Sequence, residues 1–368
     1  MVTGPMTRRA LVRRGAALAL APALLASCGD DDALVFSSWP EYIDQRAGHF
    51  PTLERFEREY GTAVTFSPEI SDYATYFAKL RPQLAQGRSG GRDLIVTVDW
   101  LSARMHRLGY VERLDAFELP NVRRQLIPRL RHPDFDPERH WSVPWQVGQT
   151  GLLYDREVVG GEIESVEQLF DPRFRGRVLM QTEMRDSVGL VMLASGDDPE
   201  TAGLDKALAA VERIERAARD GQVRAFTGFE YRVDLVRGDA AIAIGWSGDG
   251  YRIGRAYPRI RFVHPAEGYM LWTDNLQIPV GAPHRAGARR LINFYYRPEI
   301  HFRLTRQLFY VPPVRGVRKL AAELQPELLE SPLVFPDDRT LERGRIFRTL
   351  RQDEERQLDA AFQRAIGA

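Results

Sequence analysis

The stretch Asp93-Leu94-Ile95-Val96-Thr97-Val98 decides the fold class, because it is an almost continuous apolar run about as long as one strand. Such runs are typical of strands that are buried on both faces of a parallel sheet. Towards the N-terminus, short apolar runs at 33–36 and 64–66 alternate with segments 50–60 and 73–84, whose apolar residues recur at helical spacing. This strand–helix–strand alternation predicts an α/β domain with a parallel sheet.

A second alternation of the same kind follows Pro144. It predicts strands over 151–154, 177–180, 240–244 and 276–278, and helices over 187–194, 204–218 and 286–296. A chain of 368 residues has room for two domains, and we find neither an internal repeat nor a long polar linker between its halves. We therefore expect two closely joined lobes.

The charge balance and the cysteine count limit the classes of function. The chain carries 51 Lys and Arg residues and 50 Asp and Glu residues, and four of the arginines lie in the first 27 positions. The remainder is close to neutral, which disfavours nucleic-acid binding because that function needs a basic surface. The single cysteine, Cys28, allows no internal disulfide and no cysteine-based zinc cluster.

The N-terminal residues have the pattern of an export signal. Residues 7–13 are positively charged, and residues 16–25 are apolar but too few for a membrane span, which needs about 20. Residues 1–27 are therefore predicted to be a signal peptide, and the pair Arg8-Arg9 resembles a twin-arginine signal.

The stretch Leu25-Ala26-Ser27-Cys28 resembles a bacterial lipobox. That motif implies cleavage before Cys28 and lipidation of its sulfur, with residues 29–32 as a polar tether. The alternative is a plain signal peptide with a chance cysteine. The lipobox predicts an exported lipoprotein, in the periplasm or on the outer face of the cytoplasmic membrane, which its lipid anchors.

Motifs of catalysis, nucleotide binding and metal binding are missing from the sequence. It contains no GxxxxGKS/T loop and no HExxH, and its seven histidines have no ligand spacing. The acidic run 132–140 has two prolines and no glycine, which favours a solvated loop over a calcium site. The pair Tyr295-Tyr296 could suggest a ferric-ion site, but its helical apolar context favours core packing. We predict no metal, no cofactor and no catalytic residue.

Tryptophans occur where predicted strands end. Trp39, Trp100 and Trp246 each follow such a strand, and ligands of open α/β sheets lie beyond the carboxyl ends of the strands. Core packing is the alternative for each ring. Three tryptophans at strand ends favour a binding pocket.

Four acidic residues lie close to these positions. Glu183 and Asp186 follow the strand 177–180, and with Thr182 as the N-cap both would fall in a first helical turn, where the alternative role is to stabilise the helix dipole. Asp249 comes three residues after Trp246, and Asp274 two residues after Trp272, just before the strand 276–278. Carboxylates among aromatic faces suit a ligand with cationic nitrogens and methylene spacers.

The sequence resembles the polyamine-binding (spermidine/putrescine) extracellular solute-binding proteins of ABC transporters, from about Leu34 to the C-terminal helix. The resemblance is carried by short segments in a fixed order: Phe36-Ser-Ser-Trp39-Pro-Glu41-Tyr42, Asp93-Leu-Ile-Val96, Ser142-Val-Pro144-Trp145, Asp171-Pro-Arg-Phe174-Arg-Gly176, Ile244-Gly-Trp246, Pro265-Ala-Glu-Gly268 through Trp272-Thr-Asp274, and Leu291-Ile-Asn293-Phe-Tyr-Tyr-Arg297-Pro298-Glu299. Each segment is weak alone, and their order and spacing are specific together.

The resemblance implies the two-lobe, type II periplasmic-binding-protein fold, with a hinge and a ligand cleft between the lobes. Lobe 1 would comprise residues 33–147 and 274–319, and lobe 2 residues 148–272 and 324–368. A monomer would carry a polyamine to a membrane permease driven by ATPase subunits, without chemistry on the ligand.

The resemblance also implies roles for individual residues. Six aromatic side chains would box in the carbon chain of the ligand: Trp39, Tyr42, Trp100, Trp246, Trp272 and Tyr310. Four carboxylates would hold its amines: Glu183, Asp186, Asp249 and Asp274. Asp274 falls on the most characteristic acid of the family, and Asp249 on an acid of its putrescine-type branch.

Some positions depart from the family pattern. Pro40 and Val98 stand where members usually have a hydroxyl residue, and Phe347 stands near the place of an amide. Glu183 and Asp186 reverse the commoner order of Asp and Glu. These departures leave the exact amine open, with another cationic metabolite as an alternative. A sensor component and a secreted enzyme with a carboxylate pair are the other classes considered.

Overall fold

The structure is a computed structural model that describes residues 33–367. The predicted signal peptide 1–27, the lipidation site Cys28 and the tether 29–32 lie outside the described residues. Within 33–367 we find no helix with the length and apolarity that a membrane span requires.

Strands and helices alternate along the described chain. The strands are β1 Leu34–Ser38, β2 Val64–Pro68, β3 Leu94–Val98, β4 Val143–Asp155, β5 Val178–Gln181, β6 Val223–Thr227, β7 Ile242–Trp246, β8 Ile260–Val263, β9 Tyr269–Gln277 and β10 Gly344–Ile346. The helices are α1 Pro51–Tyr60, α2 Tyr73–Leu84, α3 Asp99–Arg107, α4 Pro120–Gln125, α5 Arg156–Val159, α6 Met184–Ala194, α7 Leu204–Arg219, α8 Tyr231–Arg237, α9 Ser247–Ala256, α10 Arg285–Tyr295, α11 Pro298–Leu308, α12 Val317–Leu324, α13 Asp338–Glu342 and α14 Gln352–Ala365.

The strands form a mixed sheet in the order β2-β1-β3-β9-β4-β7-β5-β6, with β10 beside β9 and β8 beside β4. Its two ends are parallel: β1 pairs with β2 and β3, and β5 pairs with β6 and β7. The middle is antiparallel, because β9 runs against both β3 and β4, and β4 runs against β7. The α/β class is confirmed, and the prediction of a parallel sheet is wrong for this central part.

The long strands β4 and β9 connect two separate apolar cores. Val143 and Leu276 are register partners in the first core, and Leu152 and Met270 belong to the second. Tyr295 and Tyr296 are fully buried in the first core, as their helical context predicted. The segment with Leu328, Val334 and Phe335 packs in the first core as well, beyond the predicted end of lobe 1 at residue 319. The lobe boundaries stay a prediction.

Helix α2 has the predicted bounds, whereas the two long strands are longer than predicted. β4 begins at Val143 and β9 at Tyr269. The start of β4 was not predicted because Pro144, Gln146 and Gly148 interrupt the apolar pattern that marks a strand in the sequence. The pairing of β4 with β9 also shifts register between Pro144 and Gln146. As a correction, Trp272 and Asp274 lie inside β9 rather than before a strand, and Trp246 is the last residue of β7.

Candidate functional site

A cavity of about 520 Å³ lies among the ends of these strands. Its lining includes all ten predicted site residues: Trp39, Tyr42, Trp100, Glu183, Asp186, Trp246, Asp249, Trp272, Asp274 and Tyr310. Trp39 follows β1, Trp100 is the second residue of α3 after β3, and Asp186 lies in the first turn of α6 after β5. These are carboxyl ends of parallel strands, where ligands of α/β proteins bind.

Asp274 projects from β9 and is only 2% exposed. Its Oδ2 accepts a hydrogen bond from the Tyr42 hydroxyl at 2.6 Å, and its Oδ1 accepts one from the Tyr73 hydroxyl at 2.6 Å. Burial raises the pKa of Asp274 to about 7, against the lowering effect of these two hydrogen bonds. The carboxylate is held in place by neutral donors, so its charge is not compensated.

Asp186 is held in the same manner. Its Oδ1 accepts from the Thr150 hydroxyl at 2.8 Å and its Oδ2 from Nε1 of Trp246 at 2.8 Å. Burial raises the pKa of Asp186 to about 6, while those hydrogen bonds lower it. Thr150 also accepts from Nε1 of Trp272 at 3.0 Å, so one hydroxyl links this acid to a second indole.

Glu183 is the N-cap of α6, and its carboxylate accepts from the backbone N–H of Arg185 at 3.4 Å. This corrects the prediction that Thr182 is the N-cap with both acids in the first turn: only Asp186 lies there. The physical reason is that the Glu183 carboxylate itself supplies the cap. Burial raises the pKa of Glu183 to about 7, although the charge of Arg185 lowers it.

Asp249 differs from the other three acids, because it has a cation of its own. Its Oδ2 accepts from the Tyr231 hydroxyl at 2.7 Å, and its Oδ1 lies 3.3 Å from Nη1 of Arg232. Among residues 33–367, Glu183, Asp186 and Asp274 take part in no ion pair with Lys, Arg or His. Of the four predicted site carboxylates, three therefore have no ion pair within residues 33–367, and Asp249 has one.

The register of β4 and β9 sets the spacing of these acids. Asp274 is opposite Gln146, Trp272 is opposite Gly148, and Thr150, which binds Asp186, lies two residues further along β4. Four strand residues span about 13 Å, so Asp274 and the Thr150–Asp186 contact are distinct positions with the Trp272 ring between them. Gly148 makes room for that ring, since a Cβ there would lie 1.9 Å from its Cζ2 atom.

The aromatic side chains form a continuous edge-to-face series around the cavity. The ring centroids of Trp39 and Trp246 lie 6.2 Å apart, those of Trp246 and Trp272 6.4 Å, and those of Trp272 and Tyr310 5.4 Å. Tyr42 continues the series at 6.0 Å from Tyr310. Such rings offer apolar surface for methylenes and π-faces for cations.

Trp100 lines the cavity but already contacts cations of the protein. The guanidinium carbons of Arg185 and Arg104 lie 4.4 Å and 4.8 Å from its ring centroid. Both arginines pair with Glu355, at 2.9 Å and 3.0 Å. The charge of Arg185 is thus compensated by Glu355 of α14, and its guanidinium also contacts the Trp100 ring.

Several residues of this cavity were not predicted from the sequence. Tyr73 was assigned to the apolar stripe of its helix, yet its hydroxyl binds Asp274; its place at the start of α2, directly after β2, is the signal that could have found it. Phe229 packs edge-on against Trp39 at 6.1 Å, and Arg232 compensates Asp249. No sequence motif marks either of these two residues. The atypical residues Pro40, Val98 and Phe347 also line the cavity.

The remaining candidates lie elsewhere or lack the expected partners. Trp145 is fully buried in the first core, edge-on to Tyr295 at 4.7 Å. His132 and Asp134 of the acidic run line the cavity. Within the part of the chain that the structure describes, we find no group of His, Cys, Asp and Glu side chains arranged to hold a metal ion.

The chain is similar in sequence to known periplasmic binding proteins. The chain is 28% identical over 320 residues to the spermidine/putrescine-binding periplasmic protein of Salmonella typhimurium, covering 87% of each chain. It is 24% identical over 341 residues to the putrescine-binding periplasmic protein PotF of Escherichia coli, covering 88% of this chain and 87% of that one.

Solved structures share the fold at lower identity. The spermidine/putrescine ABC transporter substrate-binding protein PotD of Streptococcus pneumoniae superposes with a TM-score of 0.74 at 21% identity, covering 91% of this chain and 98% of that one. The binding protein AgtB of A. tumefaciens R10, solved with agropinic acid, gives a TM-score of 0.70 at 20% identity over 91% and 99%. The type II periplasmic-binding-protein fold is confirmed.

The family assignment rests on a match that covers most of the chain. Residues 52–330 match the family described as bacterial extracellular solute-binding protein, and this match spans well over half of the chain. It confirms the resemblance that the sequence segments predicted, and the family is one of binding proteins rather than enzymes. The chain belongs to the bacterial extracellular solute-binding proteins.

Proposed function

We propose that this protein binds a polyamine of the putrescine or spermidine class in its cavity and delivers it to an ABC importer. The observation that carries the proposal is a set of three carboxylates that lie among aromatic rings without an ion pair in residues 33–367. Asp186 and Asp274 are buried, and Glu183 is half-buried. A buried charge without a partner is costly. Ammonium groups of a ligand would remove that cost. The names of the relatives support the same ligand class.

Carboxylates and aromatic rings would bind different parts of the ligand. The carboxylates accept charge-assisted hydrogen bonds from the ammonium groups. The rings of Trp39, Trp246, Trp272 and Tyr310 cover the methylenes and attract the cationic ends. Tyr42 and Tyr73 orient the Asp274 carboxylate, and Thr150 orients that of Asp186, so neither acid needs to reorganise when the ligand arrives.

Closure of the two predicted lobes would complete the site. β4 and β9 connect the two cores, which supports these strands as part of the hinge. In a closed cleft Asp186 and Asp274, which are already 4% and 2% exposed, would stay without a compensating charge, so closure without a cation is unfavourable. This links ligand binding to the closed form that docks on the permease, and the ATPase subunits then drive import.

Export and anchoring follow the N-terminal motifs. We propose that residues 1–27 are cleaved and that a lipid on Cys28 holds the protein on the membrane. Cell fractionation tests this: the wild-type protein should sediment with membranes, and Cys28→Ser should release it or leave it unprocessed. A wild-type protein that is soluble and lacks lipid at Cys28 would contradict the anchor.

Calorimetry of the purified, ligand-stripped protein tests the ligand class. The panel comprises putrescine, cadaverine, spermidine, spermine and agmatine, with a sugar and a neutral amino acid as controls. We expect a dissociation constant near 1 µM, about −8 kcal/mol, for at least one amine and no heat from the controls. Silence for every amine, with the protein folded, would reject the polyamine proposal while leaving the family assignment intact.

A further inference from the structure

Asp99 is a cavity carboxylate whose hydrogen bonds flank Asp274. It is the first residue of α3, directly after β3, and it lies half-buried in the cavity lining. Its Oδ2 accepts from the backbone N–H of Thr273 at 2.9 Å, and its Oδ1 accepts from Nδ2 of Asn275 at 2.9 Å. Both oxygens thus accept from N–H donors, which is the hydrogen-bond pattern of an ionised carboxylate. The two donors belong to the residues on either side of Asp274.

These contacts begin where the pairing of β3 with β9 ends. The last residue of β3, Val98, is the register partner of Asp274, so Thr273 has no partner in β3. The Asp99 carboxylate receives the Thr273 N–H in its place, and the Thr273 carbonyl oxygen accepts from Nδ2 of Asn275 at 3.1 Å. Asp99 and Asn275 therefore hold the β9 backbone next to Asp274 at the point where the strand pairing stops.

Arg139 fixes the orientation of the Asn275 side chain. This arginine is 1% exposed, and its Nη1 donates to Oδ1 of Asn275 at 3.0 Å and to the Ser142 hydroxyl at 2.9 Å. Because Oδ1 faces the guanidinium, the amide presents Nδ2 to Asp99. Within the described part of the chain Asp99 has no ion pair with Lys, Arg or His, so the charge of Arg139 is linked to it through this amide.

The charge of Asp99 adds to that of Asp274. Burial is the largest cause that raises the pKa of Asp274 to about 7, and the charges of Asp99 and Asp186 raise it as well. A second negative charge close to the first increases the attraction for a cation. The titratable and charged groups that bear on the two acids include Tyr42, Tyr73, Tyr310, Asp186 and Arg139.

We propose that Asp99 is a positioning residue for ligand binding by Asp274. It fixes the β9 backbone and Asn275 on the two sides of Asp274, and its charge adds to the attraction of this part of the cavity for an ammonium group. The inference rests on the proposed polyamine function and adds to it a residue that acts through Asp274.

Calorimetric titration of the ligand-stripped protein with putrescine and spermidine, at pH 7 in two buffers of different ionisation enthalpy, tests the proposal. Asp99→Asn keeps the shape of the side chain, removes its charge and leaves one of the two N–H donors without an acceptor. Amine affinity should fall about tenfold, the size of one hydrogen bond to a charged group. Fewer protons should be released on binding, because loss of the neighbouring negative charge lowers the pKa of Asp274 in the free protein. For the same reason, the decline of affinity on acidification should begin at a lower pH.

Two further variants separate the charge of Asp99 from a structural role. Asp99→Glu keeps the charge and should release as many protons as the wild type, while its displaced carboxylate lowers the affinity. Asp93→Asn is the matched control outside the cavity lining, since Asp93 is a buried carboxylate that accepts the backbone N–H groups of Val35 and His284 at 2.8 Å and 2.7 Å. It should lower thermal stability and leave amine affinity and proton release unchanged.

Wild-type affinity in folded Asp99→Asn would overturn the inference. A loss of affinity with unchanged or larger proton release would also overturn it, because that result indicates a structural role alone. Reduced proton release in folded Asp99→Glu would overturn it as well, even if Asp99→Asn does not fold. In all three outcomes amine binding by the wild type still stands. Absence of binding of every amine by the wild type would instead reject the proposed function, and this inference with it.

Discussion

Asp274 and Asp249 are two buried carboxylates with similar exposure and different hydrogen-bond partners. They are 2% and 6% exposed, and each accepts a tyrosine hydroxyl, at 2.6 Å and 2.7 Å. The other oxygen of Asp274 binds a second tyrosine, Tyr73, whereas that of Asp249 faces the guanidinium of Arg232. A neutral donor satisfies hydrogen bonding but leaves the charge uncompensated. Of these two acids, Asp249 has an ion pair and Asp274 has none within residues 33–367.

The largest expected effect comes from removing the charge of Asp274. Asp274→Asn should weaken amine binding by more than about a hundredfold, since breaking a buried charge pair costs about 3–5 kcal/mol. Calorimetry with the amine that binds best to the wild type measures the loss. Asp239→Asn, an exposed acid before β7, is the matched control and should bind like the wild type. Equal affinities for the two variants would remove Asp274 from the site.

Acidification should weaken amine binding because it protonates the carboxylates that have no ion pair. Burial raises the pKa values of Asp274 and Glu183 to about 7 and that of Asp186 to about 6. The ligand-free carboxyls take up protons as the pH falls through these values, and a bound amine must displace those protons. Affinity should therefore be full near pH 8 and fall by about tenfold or more towards pH 5.5. An affinity that stays constant or rises on acidification is incompatible with this account.

Tyr73→Phe tests how much one hydroxyl donor to Asp274 contributes to amine binding. The variant removes one of the two neutral donors of Asp274, and a hydrogen bond to a charged group is worth about 1.5–3 kcal/mol. Amine affinity should fall about tenfold, and its decline on acidification should begin at a higher pH, because the pKa of Asp274 rises further. Tyr110→Phe, in a partly exposed tyrosine outside the cavity, should change neither. A loss in both variants would indicate a general packing effect.

The smallest expected effect comes from Trp272, whose ring lies between Asp274 and the Thr150–Asp186 contact. Trp272→Leu removes the π-face and the indole donor to Thr150, which should weaken amine binding by about fivefold, the equivalent of about 1 kcal/mol for a cation–π contact. Trp141→Leu serves as the control, since Trp141 stacks on His106 at 3.7 Å and lies outside the cavity lining. Unchanged affinity in Trp272→Leu would mean that the ligand does not cross this ring.

The sequence predicted the parts of the molecule that follow regular patterns. The strand 93–98 and the helix 73–84 were found because apolar periodicity records burial directly. Trp39, Trp100 and Asp186 could be placed at the cavity because strand ends meet at one edge of a parallel sheet. Asp274 was selected because it lies close to Trp272 and to a predicted strand, and the family resemblance gave its role. The strand that contains it was predicted to start too late.

Pairwise compensation of charges could not be predicted in this way. Arg232 and Asp249 are seventeen residues apart, on α8 and α9, and neither periodicity nor a motif indicates that they meet. Tyr73 was hidden for a related reason, because a buried tyrosine looks apolar in a helical pattern whether or not its hydroxyl has a partner. Such contacts depend on tertiary geometry, and in this cavity they decide which predicted site acid has an ion pair.

The most direct test of the uncompensated carboxylates is the number of protons released when an amine binds. Calorimetric titrations at pH 7 in two buffers of different ionisation enthalpy measure that number. We expect net proton release for the wild type and a smaller release for any residual binding by Asp274→Asn, since burial places the pKa of Asp274 near 7. Amine binding to the wild type without proton release would contradict the claim that these carboxylates receive the ligand.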